Sequence, residues 1–248
     1  MKYINTWKLS WFCILLLFIL NSCSNEIENI DNSNFGYDYF PIQTGKTWVY
    51  RSDSIIILSG GTRRDTQQSF IQEQLGGLFK DEFGTEYYKL FRSYRKTILD
   101  PWTNLNTWKV YTDNTKAVRV EENLSFIKMV FPIQKGIKWG GNALIDEDIK
   151  VEVGGENIQA YKNWKYKIED TDLNLNFLNQ AVVSIKVNLV SDSSIIDYRK
   201  VTEYYGKNIG LLRKEMAILD SDGNKPSEPW DKKAQKGFIH TLTLIEVK

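Results

Sequence analysis

The chain has 248 residues, with 32 basic and 31 acidic side chains and a formal charge of +1. So even a balance, with no block of five or six like charges, argues against nucleic acid as a partner, since a basic stripe is the usual footprint. One histidine and two cysteines in the whole chain leave little material for a metal centre built on imidazole or thiolate.

The N-terminus carries Lys2 and Lys8, then ten apolar residues from Trp11 to Leu20. As a helix this run would be about 15 Å long, half of a ~30 Å hydrocarbon core, so it suits a signal peptide and not a membrane span. Leu20-Asn21-Ser22-Cys23 closes the run and reads as a bacterial lipobox with Cys23 as the lipidation site. The expected organisation is a signal peptide at 1–22, a lipidated polar tether at 23–35 and a β-barrel-like domain at 36–248. Two or three acyl chains (palmitate among them) at ~0.8 kcal/mol per buried methylene make a stable anchor, so the membrane is a predicted partner. Ser24, not Asp, follows the cysteine, which favours the outer membrane in a two-membrane cell. Glu26 and Glu28 form a diluted surface-export pattern, so the periplasmic and extracellular faces both stay open.

Processing would remove Cys13, Lys2 and Lys8, leaving 226 residues with 30 basic and 31 acidic side chains and no free thiol. Thiolate catalysis, zinc–cysteine sites and disulfides are thereby excluded from the mature protein, and its core alone must hold the fold. That length is enough for one all-β domain.

Period-two alternation dominates the remainder. Strands are expected at 46–58, 67–75, 85–96, 106–112, 116–121, 125–131, 197–205, 210–219 and 237–247. Trp164, Tyr166 and Ile168 define the face of another. Ala181, Val183, Ile185, Val187 and Leu189 define a further face, opposed by Ser184, Lys186 and Asn188. Glycine pairs at 60–61, 76–77, 140–141 and 154–155 supply turns. The best helical candidate, 172–180, is short and rich in asparagine. The predicted fold class is therefore all-β: a single antiparallel meandering sheet curled into a barrel or half-barrel, with little helix.

Phe40-Pro41-Ile42-Gln43-Thr44-Gly45-Lys46-Thr47-Trp48 is echoed 91 residues later by Phe131-Pro132-Ile133-Gln134-Lys135-Gly136-Ile137-Lys138-Trp139, identical at six of nine positions. Proline sets an extended approach, glycine permits a tight turn and tryptophan lands on the next strand. Duplication of a half-barrel and repeated use of one turn type both explain the echo.

The run Tyr39-Phe40-Pro41-Ile42-x-x-Gly45-x-x-Trp48-Val49-Tyr50 resembles the start of an uncharacterised envelope lipoprotein family of Bacteroidota-type bacteria. Glu121-Glu122-Asn123 leading to Phe131-Pro132, Glu203–Leu211, and the final Gly237–Val247 strand resemble that family too. The resemblance implies an envelope lipoprotein with a curled β-sheet. It brings no activity and no functional residues.

Candidate chemistry is sparse, and no catalytic residue is assigned. Gly45-Lys46-Thr47 lacks the distal glycine and following helix of a phosphate-binding loop. His240 shares an apolar-leaning face with Phe238, Leu242 and Leu244, which suggests a hydrogen-bonded structural histidine. Asp220, Asp222 and Asn224 have the spacing of the first calcium ligands of a loop, but Lys225 stands where glycine is needed and Pro226 and Pro229 stiffen the segment. Calcium is thus a weak candidate beside an ordinary turn, and no other cofactor is expected. Glu121-Glu122 should not cooperate, because neighbours on a strand point to opposite faces; Asp146-Glu147-Asp148 reads as a solvated turn. Trp102 and Trp230 lie in polar loops, where they can stack on a ligand or cap the barrel. The expected function is non-enzymatic binding of a small-molecule, lipid or glycan ligand, or of a partner, by an anchored envelope lipoprotein. Glycan binding or processing at the surface and a structural role in an envelope assembly are the alternatives.

Overall fold

The structure is a computed structural model that describes Phe35–Lys248; Cys23 and the segments expected to be signal peptide and tether, up to residue 34, lie outside the described residues. The strands are β1 (Thr47–Leu58), β2 (Arg63–Lys80), β3 (Glu86–Arg95), β4 (Thr103–Thr112), β5 (Lys116–Glu121), β6 (Leu124–Val130), β7 (Lys138–Trp139), β8 (Val151–Val153), β9 (Glu156–Ile158), β10 (Tyr166–Phe177), β11 (Gln180–Ser193), β12 (Asp197–Gly206), β13 (Gly210–Asp220) and β14 (Lys236–Val247). One helical turn, Trp230–Lys233, precedes β14. Twelve strands form a single antiparallel sheet in the order β6-β5-β4-β3-β2-β1-β14-β13-β12-β11-β10-β7, and β8–β9 is a separate hairpin. The all-β, meandering prediction holds, and the sheet curls into a nearly closed barrel. Its two edges meet where the Ile127 N–H donates to the Gly141 carbonyl at 2.8 Å and the Trp139 indole N–H donates to the Ile127 carbonyl at 2.7 Å.

The barrel is two six-stranded meanders, β1–β6 and then β7 with β10–β14. Each opens on the repeated nonapeptide, whose glycine turn folds the same way both times, although the Phe-Pro bond is cis only in the second copy, at Phe131-Pro132. Gly45 and Gly136 have φ of 89° and 91°, a left-handed conformation open to glycine. Their N–H groups donate to Leu75 and Ile168, and the N–H groups of those two residues donate back to Lys46 and Ile137. Each tryptophan then anchors its indole on a main-chain carbonyl, Trp48 on Ile209 at 2.6 Å and Trp139 on Ile127. The copies diverge after the tryptophan. β1 runs for twelve residues between β2 and β14, whereas β7 stops at Trp139 and the chain leaves the sheet at Gly140-Gly141.

Two expectations need correction. Residues 172–177 continue β10, and Leu178-Asn179 make the turn into β11 with φ of 53° and 63°. Leu173, Leu175 and Phe177 alternate with exposed Asp172, Asn174 and Asn176, which is a period of two and overrides the weak helical reading. In β11 the expected face holds for Ile185, Val187 and Leu189, but Ala181 and Val183 are exposed while Val182 and Ser184 are buried. Ser184 pairs with Gly206, and a Cβ there would meet Val182 at 2.7 Å and Leu212 at 2.9 Å. The missing side chain lets those two residues pack over the backbone, so burial changes faces along the strand.

The largest cluster gathers Trp164, Tyr166, Ile185, Val187, Leu189, Val201 and Ile218 among its buried members. Each such aliphatic side chain contributes about 1.5–3 kcal/mol by leaving water. Phe40, Pro41 and Ile42 pack near Trp48 and Leu75, at the end where β1 begins. Gly154 of the β8–β9 hairpin sits against Ile56 and Leu58, at the end where β1 finishes. On the outer face, Trp230 and Ala234 cover Ile57, Leu219 and Tyr198.

Candidate functional site

Alternation turns Trp48, Tyr50 and Ser52 of β1 toward the barrel interior, and the cross-strand register carries that face around the wall. Trp48 pairs with Glu73, Glu73 with Arg92, and Arg92 with Asn106. Val110 pairs with Arg119 across β4–β5, and Glu203 with Lys214 across β12–β13. Seven charged side chains thus face one cavity of about 170 Å³: Glu73, Arg92, Arg119, Glu121, Lys128, Glu203 and Lys214, joined by Ser52, Trp108 and His240.

They divide into two linked groups. Glu73 Oε1 accepts from Arg92 Nε at 2.9 Å and from Arg119 Nη2 at 2.5 Å. Arg92 and Arg119 also place their Cζ atoms 3.5 and 4.3 Å from the Trp108 ring centroid, a cation–π arrangement that holds both guanidinium planes. Glu121 lies 3.3 Å from Arg119 Nε. In the second group Lys128 Nζ donates to Glu203 Oε1 at 2.6 Å, the Tyr205 hydroxyl donates to Glu203 Oε2 at 2.6 Å, and Lys214 stands 3.7 Å from Glu203. The Glu203 and Lys128 side chains are 1% and 5% exposed, and Lys214, nearer solvent, is 18% exposed. Burial alone would raise the Glu203 carboxyl, but Lys128, Lys214 and the Tyr205 hydroxyl hold it at about 2. Burial pushes the His240 imidazole down to about 4, helped by Lys214 and Arg92 and opposed by Asp53. His240 Nε2 lies 2.9 Å from Ser52 Oγ.

An apolar lobe of about 50 Å³ adjoins this cavity and shares Glu73, Arg119, Lys128 and Leu211 with it; Phe40, Ile42, Trp48 and Leu75 line its other side. The interior is therefore charged on one side and apolar on the other, with Tyr50 and Tyr205 between.

The residues singled out from sequence lie elsewhere, apart from His240 and Glu121. Glu121 faces the cavity, whereas Glu122 occupies the β5–β6 turn and accepts from Asn106 Nδ2 and Trp108 Nε1, so the adjacent pair diverges. Asp220 is held by Arg199 at 2.6 Å. Asp222 accepts from the backbone and side-chain amides of Asn224. Among the described residues no group of three or more His, Cys, Asp or Glu side chains is arranged to hold a metal ion. Trp102 lies 4.2 Å from the Arg95 guanidinium, and Trp230 stacks on Tyr198 at 5.5 Å; neither lines the interior cavity. Asp146 accepts from the Asp148 N–H within its turn, and Asp148 accepts from Gln159 Nε2, eleven residues further on.

The charged interior carries a sequence signal of its own. Glu73 has the parity of Ile71 and Leu75, Arg92 that of Leu90, and Glu203 that of Val201 and Tyr205. A charge placed on the apolar parity of a strand marks an inward-facing ion, which composition does not register.

No protein-family model matches the chain, and no curated protein matches it. Among solved structures, a candidate lipoprotein from Parabacteroides distasonis aligns at 16% identity over 85% of this chain and 98% of its own, with a TM-score of 0.38. A candidate exported protein with a YmcC-like fold from Bacteroides fragilis aligns at 11% identity over 84% of this chain and 97% of its own, with a TM-score of 0.39. Both likenesses cover most of each chain but are weak in identity and in superposition.

Proposed function

We propose that this chain is an envelope lipoprotein, acylated at Cys23, whose barrel holds a small polar ligand without transforming it. The carrying observation is the charged cavity of about 170 Å³ inside the curled sheet. Drug-sized pockets run from ~300 Å³ upward, so a compact ligand of about one ring suits this space. The apolar lobe has room for one or two water-sized groups, too little for an acyl chain, which favours a small polar ligand over a lipid. Binding is favoured over catalysis because the interior carboxyl and imidazole titrate far from neutrality. Glu203 is held at about 2 and His240 at about 4, while a general acid or base works best near the ambient pH.

Two measurements test this reading. Cys23→Ala should move the protein to a soluble fraction or leave an unprocessed precursor, and normal processing with unchanged membrane attachment would overturn the anchor. Native mass spectrometry of protein isolated from its own envelope should show a bound small molecule. Ligand-free spectra in every preparation, with no thermal shift from any small polar compound, would overturn the binding role.

A further inference from the structure

We propose that the barrel cavity is an anion site, accepting a small molecule with a carboxylate or phosphate-type negative charge among Arg92, Arg119, Lys128 and Lys214. This rests on the reading of the cavity as a ligand site and names the class of ligand. The argument is one of charge and geometry. Four cationic side chains face the space, against three carboxylates, Glu73, Glu121 and Glu203. The carboxylates are shared: Glu73 serves both Arg92 and Arg119, and Glu203 serves Lys128 closely and Lys214 only at 3.7 Å. Lys214 has no carboxylate within hydrogen-bonding distance; Arg119 is paired with Glu73 and stands 3.3 Å from Glu121, but its Nε makes no aligned hydrogen bond. Buried cations without full compensation are costly, and the cost is relieved by an anion that supplies the missing acceptor oxygens. Glu122 does not cancel the excess, because its carboxylate is exposed and taken up by Asn106 and Trp108. Ser52 and neutral His240 on the same wall add hydrogen-bonding groups suited to the uncharged part of a polar ligand.

The test compares probes of equal shape and different charge by calorimetry and thermal shift: glucuronate against glucose, with acetate and inorganic phosphate to separate carboxylate from phosphate recognition. The expected result is binding of glucuronate or phosphate and none of glucose. Lys214→Gln removes the least compensated cation and should weaken anion binding about tenfold or more; Glu121→Gln removes an anion from the same cavity and should strengthen it. Circular dichroism and urea midpoints establish that both variants fold, and opposite effects on affinity would not arise from a purely structural ion network. Equal binding of glucose and glucuronate, or shifts of the same sign in the two variants, would overturn the anion assignment while leaving a ligand cavity in place. Failure of every probe to bind, charged or neutral, would overturn the assignment and count against the binding role as well.

Discussion

Glu203 shows how much a single interior residue carries. Its carboxylate accepts from Lys128 and Tyr205 and faces Lys214, so Glu203→Gln would leave two ammonium groups facing a neutral amide. Breaking a buried pair from one side costs about 3–5 kcal/mol, and the urea midpoint of the variant should fall accordingly; an unchanged midpoint would show that water already screens the pair. The same residue sets an acid limit. A carboxyl held at about 2 in the fold and near 4.5 when unfolded contributes stability that is complete above the unfolded value and disappears as pH falls toward the folded one. That window is worth on the order of 3 to 4 kcal/mol, and the loss of stability between pH 4.5 and 2 should be smaller in Glu203→Gln. Glu203 was recognisable in the sequence only through parity, since Val201 and Tyr205 flank it on the same face of β12. Its partner Lys128 comes from β6, 75 residues away, and no local pattern links the two.

At the scale of elements, the seam between β6 and β7 is the weak line of the barrel. It is held by the Ile127 N–H to Gly141 carbonyl bond, the Trp139 indole bond and the packing of Tyr166 beside Gly141. A Cβ at Gly141 would meet the Tyr166 ring at 2.3 Å, and that ring is completely buried. Gly141→Ala should therefore destabilise the protein by about 1–3 kcal/mol through overpacking and raise hydrogen exchange at the Ile127 amide above that of β1–β14 amides. Equal exchange across both junctions would mean that the seam is no weaker than the rest of the wall. The repeated nonapeptide was legible as a turn, and the structure adds that it starts each six-stranded meander. What differs is the sequel: β1 finds pairing partners on both sides, while Gly140-Gly141 ends β7 and releases the chain.

For the whole molecule, closure depends on strands distant in sequence. Trp48 pairs with Val247 in β14, which also pairs with β13 and so joins the two meanders. Removing residues 236–248 would expose unpaired backbone on β1 and β13 together, and the truncated protein should lose cooperative unfolding by circular dichroism and urea titration; a sharp transition in that variant would show that one meander folds alone. Such long-range pairing also implies slow folding, since loop-closure entropy is lost before the contacts form. Alternation, turn glycines and aromatic strands are local, so the sequence by itself determined the strand content, the antiparallel meander and the two matching turns, because backbone stereochemistry and period-two burial act within a few residues. Only the tertiary structure decided that seven charges meet in one cavity, and that Val182 is buried while Val183 is not. Those outcomes depend on register between strands tens to hundreds of residues apart and on the space a neighbour such as Gly206 leaves, and register is a property of the closed sheet as a whole.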